Sequence, residues 1–302
     1  MKIGFFTYSE WAFGAIHDAL CKELYKQGIY AHIISWDRQY THEEFSCFME
    51  TFDYFCTVPG NAVPALNSYG VPNERIMAVA HGRFDIQAGI HNHNKFDEFA
   101  VYGGVSPDLH RYSEALGISR DMKIAKNGIH FNNFYAEPAT QLRTIGYGGA
   151  LEYKNHLDGN KDLKRGYLVK SIADGIRLPI NLLSRRHYLA MPSYYKTVDA
   201  TIVSSTEESC GLPLMEAAAA GRLPISTPVG VTRDYPGTPN ITLPFPEDEF
   251  IAAGVKAIDE LSRNSDKFAI MCREAQDFAR ENYDWSVRIQ DWVKLFTENN
   301  AS

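Results

Sequence analysis

The chain has 302 residues, 45% hydrophobic and 22% charged, an ordinary globular composition with more chain than one hydrophobic core usually organises, so two domains are the default. A net charge of −7 with no block of like charges argues against nucleic acid as the main partner, and leaves room for peripheral membrane contact through a local basic or apolar patch. The five cysteines (Cys21, Cys47, Cys56, Cys210, Cys272) form no C-x-x-C pair, so neither a disulfide framework nor a structural zinc site is indicated. The opening MKIGFFTYSEW is too short an apolar run for a signal peptide and no segment has the length of a membrane span; the chain reads as cytoplasmic and reduced.

In chain order, KIGFFTY reads as a buried strand, and AIHDALCKELYKQG as a helix with Ile16, Ala19, Leu20 and Leu24 on its apolar face and Gly28 at its stop. IYAHIISW, FDYFCTV and RIMAVAHG are further strands, with a helix over NAVPALNSYG; FDEFAVYGGVS and MKIAKNG continue the alternation. Strand and helix in alternation imply right-handed crossovers and a parallel sheet. Pro138, within NNFYAEPATQL, marks a linker, and the pattern then restarts. TIGYGG, LPINLL, DATIVSS and LPISTP read as strands, RGYLVKSIADG and MPSYYKTV as helices. An amphipathic helical run covers Glu249 to Asn282, and WSVRIQDWVKLF follows it with Trp285, Ile289, Trp292 and Leu295 or Phe296 along one stripe. The expected fold is α/β, with Rossmann-like domains over 1–137 and 138–283 facing each other across a cleft, and a helix over 284–302 crossing back to the first.

The segment TEESCGLPLMEAAAAGRLPISTPVG (206–230) concentrates the chemistry. Alone, Glu208 and Glu216 are solvated charges near a helix start. Here a strand delivers the chain to a turn, Pro213 suits a first helical turn, LMEAAAA forms helix readily and Gly221 ends it. The amides of Cys210, Gly211 and Leu212 thus stand at a helix N-terminus, a ready seat for a diphosphate. Glu208 can reach past the phosphates. Glu216, about one turn in on a helix face expected to be solvent-reachable, suits vicinal hydroxyls such as those of a ribose.

E-S-C-G-L-P-L-M-E-A resembles the E-x(7)-E signature of family 4 retaining nucleotide-sugar glycosyltransferases, which have the two-domain GT-B architecture. KNGIHFNNF resembles the segment that ends their first domain, with His130 where Asp is usual; MPSYYKTVDATIVSS and GRLPISTPVG resemble the flanks of the signature. The resemblance covers most of the C-terminal half and the N-terminal half weakly. It implies Glu208 facing the donor sugar and Glu216 holding the ribose. It also implies a basic residue on the diphosphate in GYGGALEYKNHLDGNKDLKRG, the loop that carries Gly149. Ala150 stands where the family has Arg; Lys164 aligns best with the phosphate lysine and Lys154 is its rival. His81, ending MAVAHG, matches a histidine beside the transferred sugar, and Gly14 in WAFGAIHD falls in a strand-to-helix turn that approaches substrate, though the usual double glycine is missing. His17, His91 and His93 have weaker claims, and HNHN reads as a polar loop.

The function implied is metal-free, retaining transfer from a nucleotide-diphosphate sugar, itself a substrate, to a glycan, lipid or other hydroxyl acceptor, with no further cofactor. A catalytically silent sugar-nucleotide or glycan binder of the same fold is the alternative. A Rossmann oxidoreductase would need G-x-G-x-x-G after the first strand, which YSEWAFGA lacks.

Overall fold

The computed structural model describes residues 1–148, 152, 154–155, 161–176, 178–183 and 188–298, with residues 11, 12 and 155 described by backbone alone. The chain divides into two compact units, Met1–Gly128 with Trp285–Ser302, and Ile129–Asp284.

In the first unit the strands β1 (Lys2–Thr7), β2 (Tyr30–Ser35), β3 (Tyr54–Thr57), β4 (Ile76–Ala80), β5 (Val101–Gly104) and β6 (Lys123–Ile124) form a parallel sheet in the order β2-β1-β3-β4-β5-β6. Every residue of β4 is buried, as an apolar run covered on both faces requires. The first helix, Trp11–Lys26, buries Ile16, Ala19, Leu20 and Leu24 and starts earlier than its apolar stripe suggested. Two helices that periodicity did not reveal are held by carboxylate caps. His42–Thr51 has a capping box, with Glu44 N donating to Thr41 Oγ1 at 3.1 Å and Thr41 N to Glu44 Oε2 at 2.8 Å. Arg83–His91 carries Asp85 in its first turn, and that carboxylate accepts from His81 N and Gly82 N at 2.8 and 2.9 Å; HNHN begins in the helix's last turn. The C-terminal helix Trp285–Thr297 belongs to this unit: it buries Trp285, Ile289, Trp292, Leu295 and Phe296, and Trp292 Nε1 donates to Lys126 O at 3.1 Å.

In the second unit, β7 (Ile145–Tyr147), β10 (Ile180–Leu182), β11 (Ala200–Val203), β12 (Leu223–Ser226) and β13 (Ile241–Thr242) form a parallel sheet in the order β10-β7-β11-β12-β13. The short β8 (Lys154–Asn155) and β9 (Lys161–Asp162) pair as an antiparallel hairpin. The unit begins at Ile129, upstream of the break expected at Pro138. Phe131 and Phe134 are buried in its core, Ile129 N donates to Tyr283 O at 2.8 Å, and Phe131 N to Asp284 Oδ2 at 2.9 Å. Residues 136–139 are equally bound in, since Gln276 Nε2 donates to Ala136 O at 2.8 Å and Ala139 N to Gly221 O at 2.9 Å. The single helical run expected over Glu249–Asn282 is two helices, Glu247–Ser262 and Ser265–Asn282. Asn264 separates them by capping the second, accepting from Lys267 N at 3.0 Å.

Candidate functional site

The second sheet reverses its strand order between β7 and β11, and at such a point the loops leaving the two strands diverge and open a crevice. The loop after β11 runs through Ser204 and Ser205 to Glu208, then into the helix Leu212–Ala219. Gly211 caps that helix at φ 75°, a left-handed conformation that favours glycine. Gly230, at φ 52°, lies against it: a Cβ there would fall 2.5 Å from Cys210 O. That approach lets Gly230 N donate to Glu208 O at 3.1 Å and Val231 N to Cys210 O at 2.9 Å, clasping the turn from behind. The amides of Gly211 and Leu212 have no partner among the described residues.

Lys164 reaches this turn from the segment after the hairpin. Asp162 shapes that segment by accepting from Lys164 N at 3.0 Å and Arg165 N at 3.1 Å, and Thr206 N donates to Leu163 O at 2.9 Å. The Lys164 ammonium then bonds Glu208 Oε1, which also accepts from Ser205 Oγ at 2.7 Å. Glu208 Oε2 has no partner among the described residues. Lys154 is elsewhere: it sits on β8, is exposed, and pairs with Glu152 at 2.9 Å. Gly149 and Ala150 lie outside the described residues. Cys210 places its Sγ 3.3 Å from Met215 Sδ.

Arg165 was not singled out in the sequence. Its buried guanidinium donates to Ser204 O at 2.9 Å and Phe245 O at 2.6 Å, tying the loops after β11 and β13, and its Nη2 has no partner among the described residues. Its place beside Lys164, at the start of the helix Gly166–Ile176, was the available signal.

Glu216 corrects the expectation of a solvent-reachable carboxylate. It is 2% exposed, Tyr195 Oη donates to its Oε2 at 2.9 Å, and Tyr188 donates to the same carboxyl. Burial outweighs both bonds and pushes the carboxyl up to about 8. The cause lies in the helix: Leu214, Met215 and Ala217 to Ala219 are all buried, so no side of it faces water at this level.

In the first unit His81 follows β4. Its ring is 4.8 Å from that of Phe13, 5.1 Å from that of His17 and 6.2 Å from that of Trp292. Burial, and then the neighbouring His17, hold His81 well below the usual histidine range. His17 bonds Thr7 Oγ1 at 3.0 Å, and burial lowers it to about 4, so both rings are neutral at pH 7. Gly14 lies inside the helix Trp11–Lys26 rather than in the preceding turn. A Cβ at Gly14 would fall 2.2 Å from Ser9 O, so it serves the close fold-back of that turn onto the helix. His91 ends the helix Arg83–His91, and His93 follows at φ 56°.

Among the described residues, no group of three or more His, Cys, Asp or Glu could hold a metal ion, and no helix is long and apolar enough to cross a membrane.

Residues 136–264 match the family of glycosyl transferases group 1. No protein of curated function matches the chain by sequence. Among solved structures, HepE of Anabaena in complex with UDP and glucose superposes with a TM-score of 0.72 at 13% identity, over 99% of this chain and 100% of that one. A glycosyltransferase from Rickettsia africae gives 0.72 at 13% identity, over 100% of this chain and 98% of its own. The sucrose-phosphate synthase of Thermosynechococcus elongatus gives 0.69 at 11% identity, over 99% and 98%. These likenesses establish the GT-B fold over the full length of the chain.

Proposed function

We propose that the chain is a glycosyltransferase that transfers a sugar, with retention, from a uridine diphosphate sugar to a hydroxyl of a glycan or lipid-linked acceptor; the match of residues 136–264 to the glycosyl transferases group 1 and the full-length GT-B fold support this reading. The observation that carries this reading is the Lys164–Glu208 pair beside the unpartnered amides of Gly211 and Leu212, at the strand-order reversal of the second sheet. The UDP and glucose bound to the structurally similar HepE support the choice of base.

In this reading the diphosphate sits on the amides of Cys210, Gly211 and Leu212 with Lys164 alongside, where fixed donors stabilise the negative charge that grows as the leaving group departs. Glu208 holds Lys164 through one oxygen and offers the other to a sugar hydroxyl. Glu216 takes the ribose, exchanging tyrosine hydroxyls for sugar hydroxyls. His81, neutral, offers a hydrogen bond to the transferred sugar. The anomeric carbon–phosphate oxygen bond breaks, the acceptor oxygen bonds the same face, and the acceptor proton passes to the departing phosphate oxygen.

Calorimetric titration with UDP and UDP-glucose, and NMR of the product anomer, test the proposal. Lys164→Ala should weaken UDP by roughly 1.5–3 kcal/mol, more so at low salt, and Lys154→Ala far less. Equal losses in the two variants would refute the placement of the diphosphate; an inverted product would refute the mechanism. Binding without transfer or hydrolysis would favour the silent binder.

A further inference from the structure

Two adjacent cations at the start of the helix Gly166–Ile176 have opposite fates. Lys164 reaches out to Glu208, whereas Arg165 is 6% exposed. We infer that Arg165 is a positioning residue of the diphosphate seat: without touching the donor, it closes a circuit of side chains that fixes where Lys164 meets the phosphates. The inference rests on the donor site proposed above and concerns residues of the second unit alone.

The circuit runs bond by bond. Arg165 Nε donates to Ser204 O at 2.9 Å, and Ser204 Oγ shares its proton between Lys164 O at 2.8 Å and Arg165 O at 2.9 Å. Ser205, the next residue, donates from Oγ to Glu208 Oε1 at 2.7 Å, and the same oxygen takes the Lys164 ammonium. Thr227 Oγ1 donates to Ser205 O, and Arg165 Nη1 to Phe245 O at 2.6 Å, so the loops after β12 and β13 anchor the circuit. Arg165 itself stands at φ 47°, a left-handed conformation that persists in a residue with a Cβ only where the surroundings impose it. The bonds to Ser204, and Arg165 N donating to Asp162 Oδ2 at 3.1 Å, impose it.

Stability alone does not call for a guanidinium here. Among the described residues its donors meet only main-chain oxygens, no carboxylate pairs with it, and Nη2 has no partner. Its Cζ stands 5.9 Å from the ring centroid of buried Phe250, against which an apolar side chain of similar length would pack as well. A buried cation with an unused donor is costly, and its return is a rigid planar fork that reaches two loops at once. Lys164, a point charge on a flexible stem, has no such rigidity. Its ammonium meets a diphosphate in a fixed place only if its own backbone and Glu208 are both held, and those are the two groups that the circuit holds.

The test measures UDP and uridine binding to the full chain by calorimetry and saturation-transfer NMR, below the onset of melting of each variant. Arg165→Met should weaken UDP about tenfold and uridine less than about twofold, because only the diphosphate end depends on the circuit. Combined with Lys164→Ala, it should add less than about threefold to the loss from Lys164→Ala alone, since both changes remove the same contact. Arg165→Lys keeps the charge without the fork and should resemble Arg165→Met. Ser204→Ala opens the circuit at a small side chain; it should show the same UDP-selective, non-additive loss, and it carries the test where Arg165→Met does not fold. A lower melting temperature with UDP affinity unchanged would make Arg165 structural only. Losses that multiply would mean that it acts on the phosphates directly, and an equal loss of uridine would mean that the whole site collapses. Each of these overturns the inference while UDP still binds the wild type. Failure of the wild type to bind UDP would overturn the donor reading, and the inference with it.

Discussion

Replacing Glu216 by Gln should make the second unit less sensitive to alkaline pH. In the folded chain burial holds this carboxyl at about 8 against an ordinary value of 4.5. A folded-state value raised above the unfolded one means that the folded chain binds the extra proton, so stability is full at low pH and declines as pH climbs from the unfolded value through the folded one. Charging the buried group costs on the order of 2–5 kcal/mol. For a domain of this size that corresponds to a melting shift of roughly 5–15 °C between about pH 5 and pH 9. Burial holds the phenols of Tyr188 and Tyr195 above their ordinary range, so neither adds a step in that interval. The Gln amide is neutral throughout and leaves one N–H without its carboxyl-type partner, a cost of about 1–3 kcal/mol that does not vary with pH. The difference between the two proteins therefore isolates Glu216, because every other titrating group is common to both. All four tryptophans belong to the first unit, so fluorescence follows that unit while calorimetry and hydrogen exchange follow the second. A melting difference that stays constant from pH 5 to pH 9 would refute the reasoning: it would mean that the tyrosine bonds keep the carboxylate charged despite its burial.

Three further outcomes are expected. Transfer should persist in EDTA, and activity that EDTA abolishes and manganese restores would refute the metal-free mechanism. Gly14→Ala should destabilise the first unit by roughly 1–3 kcal/mol, since its Cβ would press on Ser9 O, and tryptophan fluorescence melting would show it; an unchanged midpoint would mean the turn relaxes freely. Ending the chain at Asp284 removes the buried Trp285, Trp292 and Phe296, worth several kcal/mol, so hydrogen exchange should quicken across residues 1–128 and change little across 129–284.

Most of the parallel strands were legible as short apolar runs between turn residues, and residues such as Phe5, Ile34, Phe55 and Ile202 are buried where that pattern places them; β13, two residues long and half polar, was not read. Helices whose identity depends on a cap were less legible. His42–Thr51 has one fully buried residue, Phe45, and its signal was the spacing of Thr41 and Glu44 rather than any apolar stripe. The break at Asn264 is of the same kind: two consecutive amphipathic helices share one period, and only the side-chain cap separates them. The boundary at Gly128–Ile129 was misplaced toward Pro138 because composition registers loop residues, whereas Phe131, Phe134 and the Gln276 bond decide to which core a loop belongs.

At the site, the E-x(7)-E spacing located the turn and the helix but not the depth of its members. Glu208, on the loop, has one oxygen on Lys164 and the other without a partner among the described residues, as a carboxylate near the surface can. Glu216 shares a helix with small apolar residues that let it sink into the core, and a buried carboxyl must then find donors or hold its proton. Tyr195 and Tyr188 are those donors, and nothing in the local spacing around Glu216 names them, because they come from the separate segment Tyr188–Tyr195. In the nucleotide-binding role proposed for Glu216, a carboxyl already satisfied by two phenols would exchange one of them for a ribose hydroxyl without ever standing unpartnered, so binding would cost little desolvation at that residue. Removing a phenol, as in Tyr195→Phe, would leave the carboxyl with one donor fewer before the nucleotide arrives.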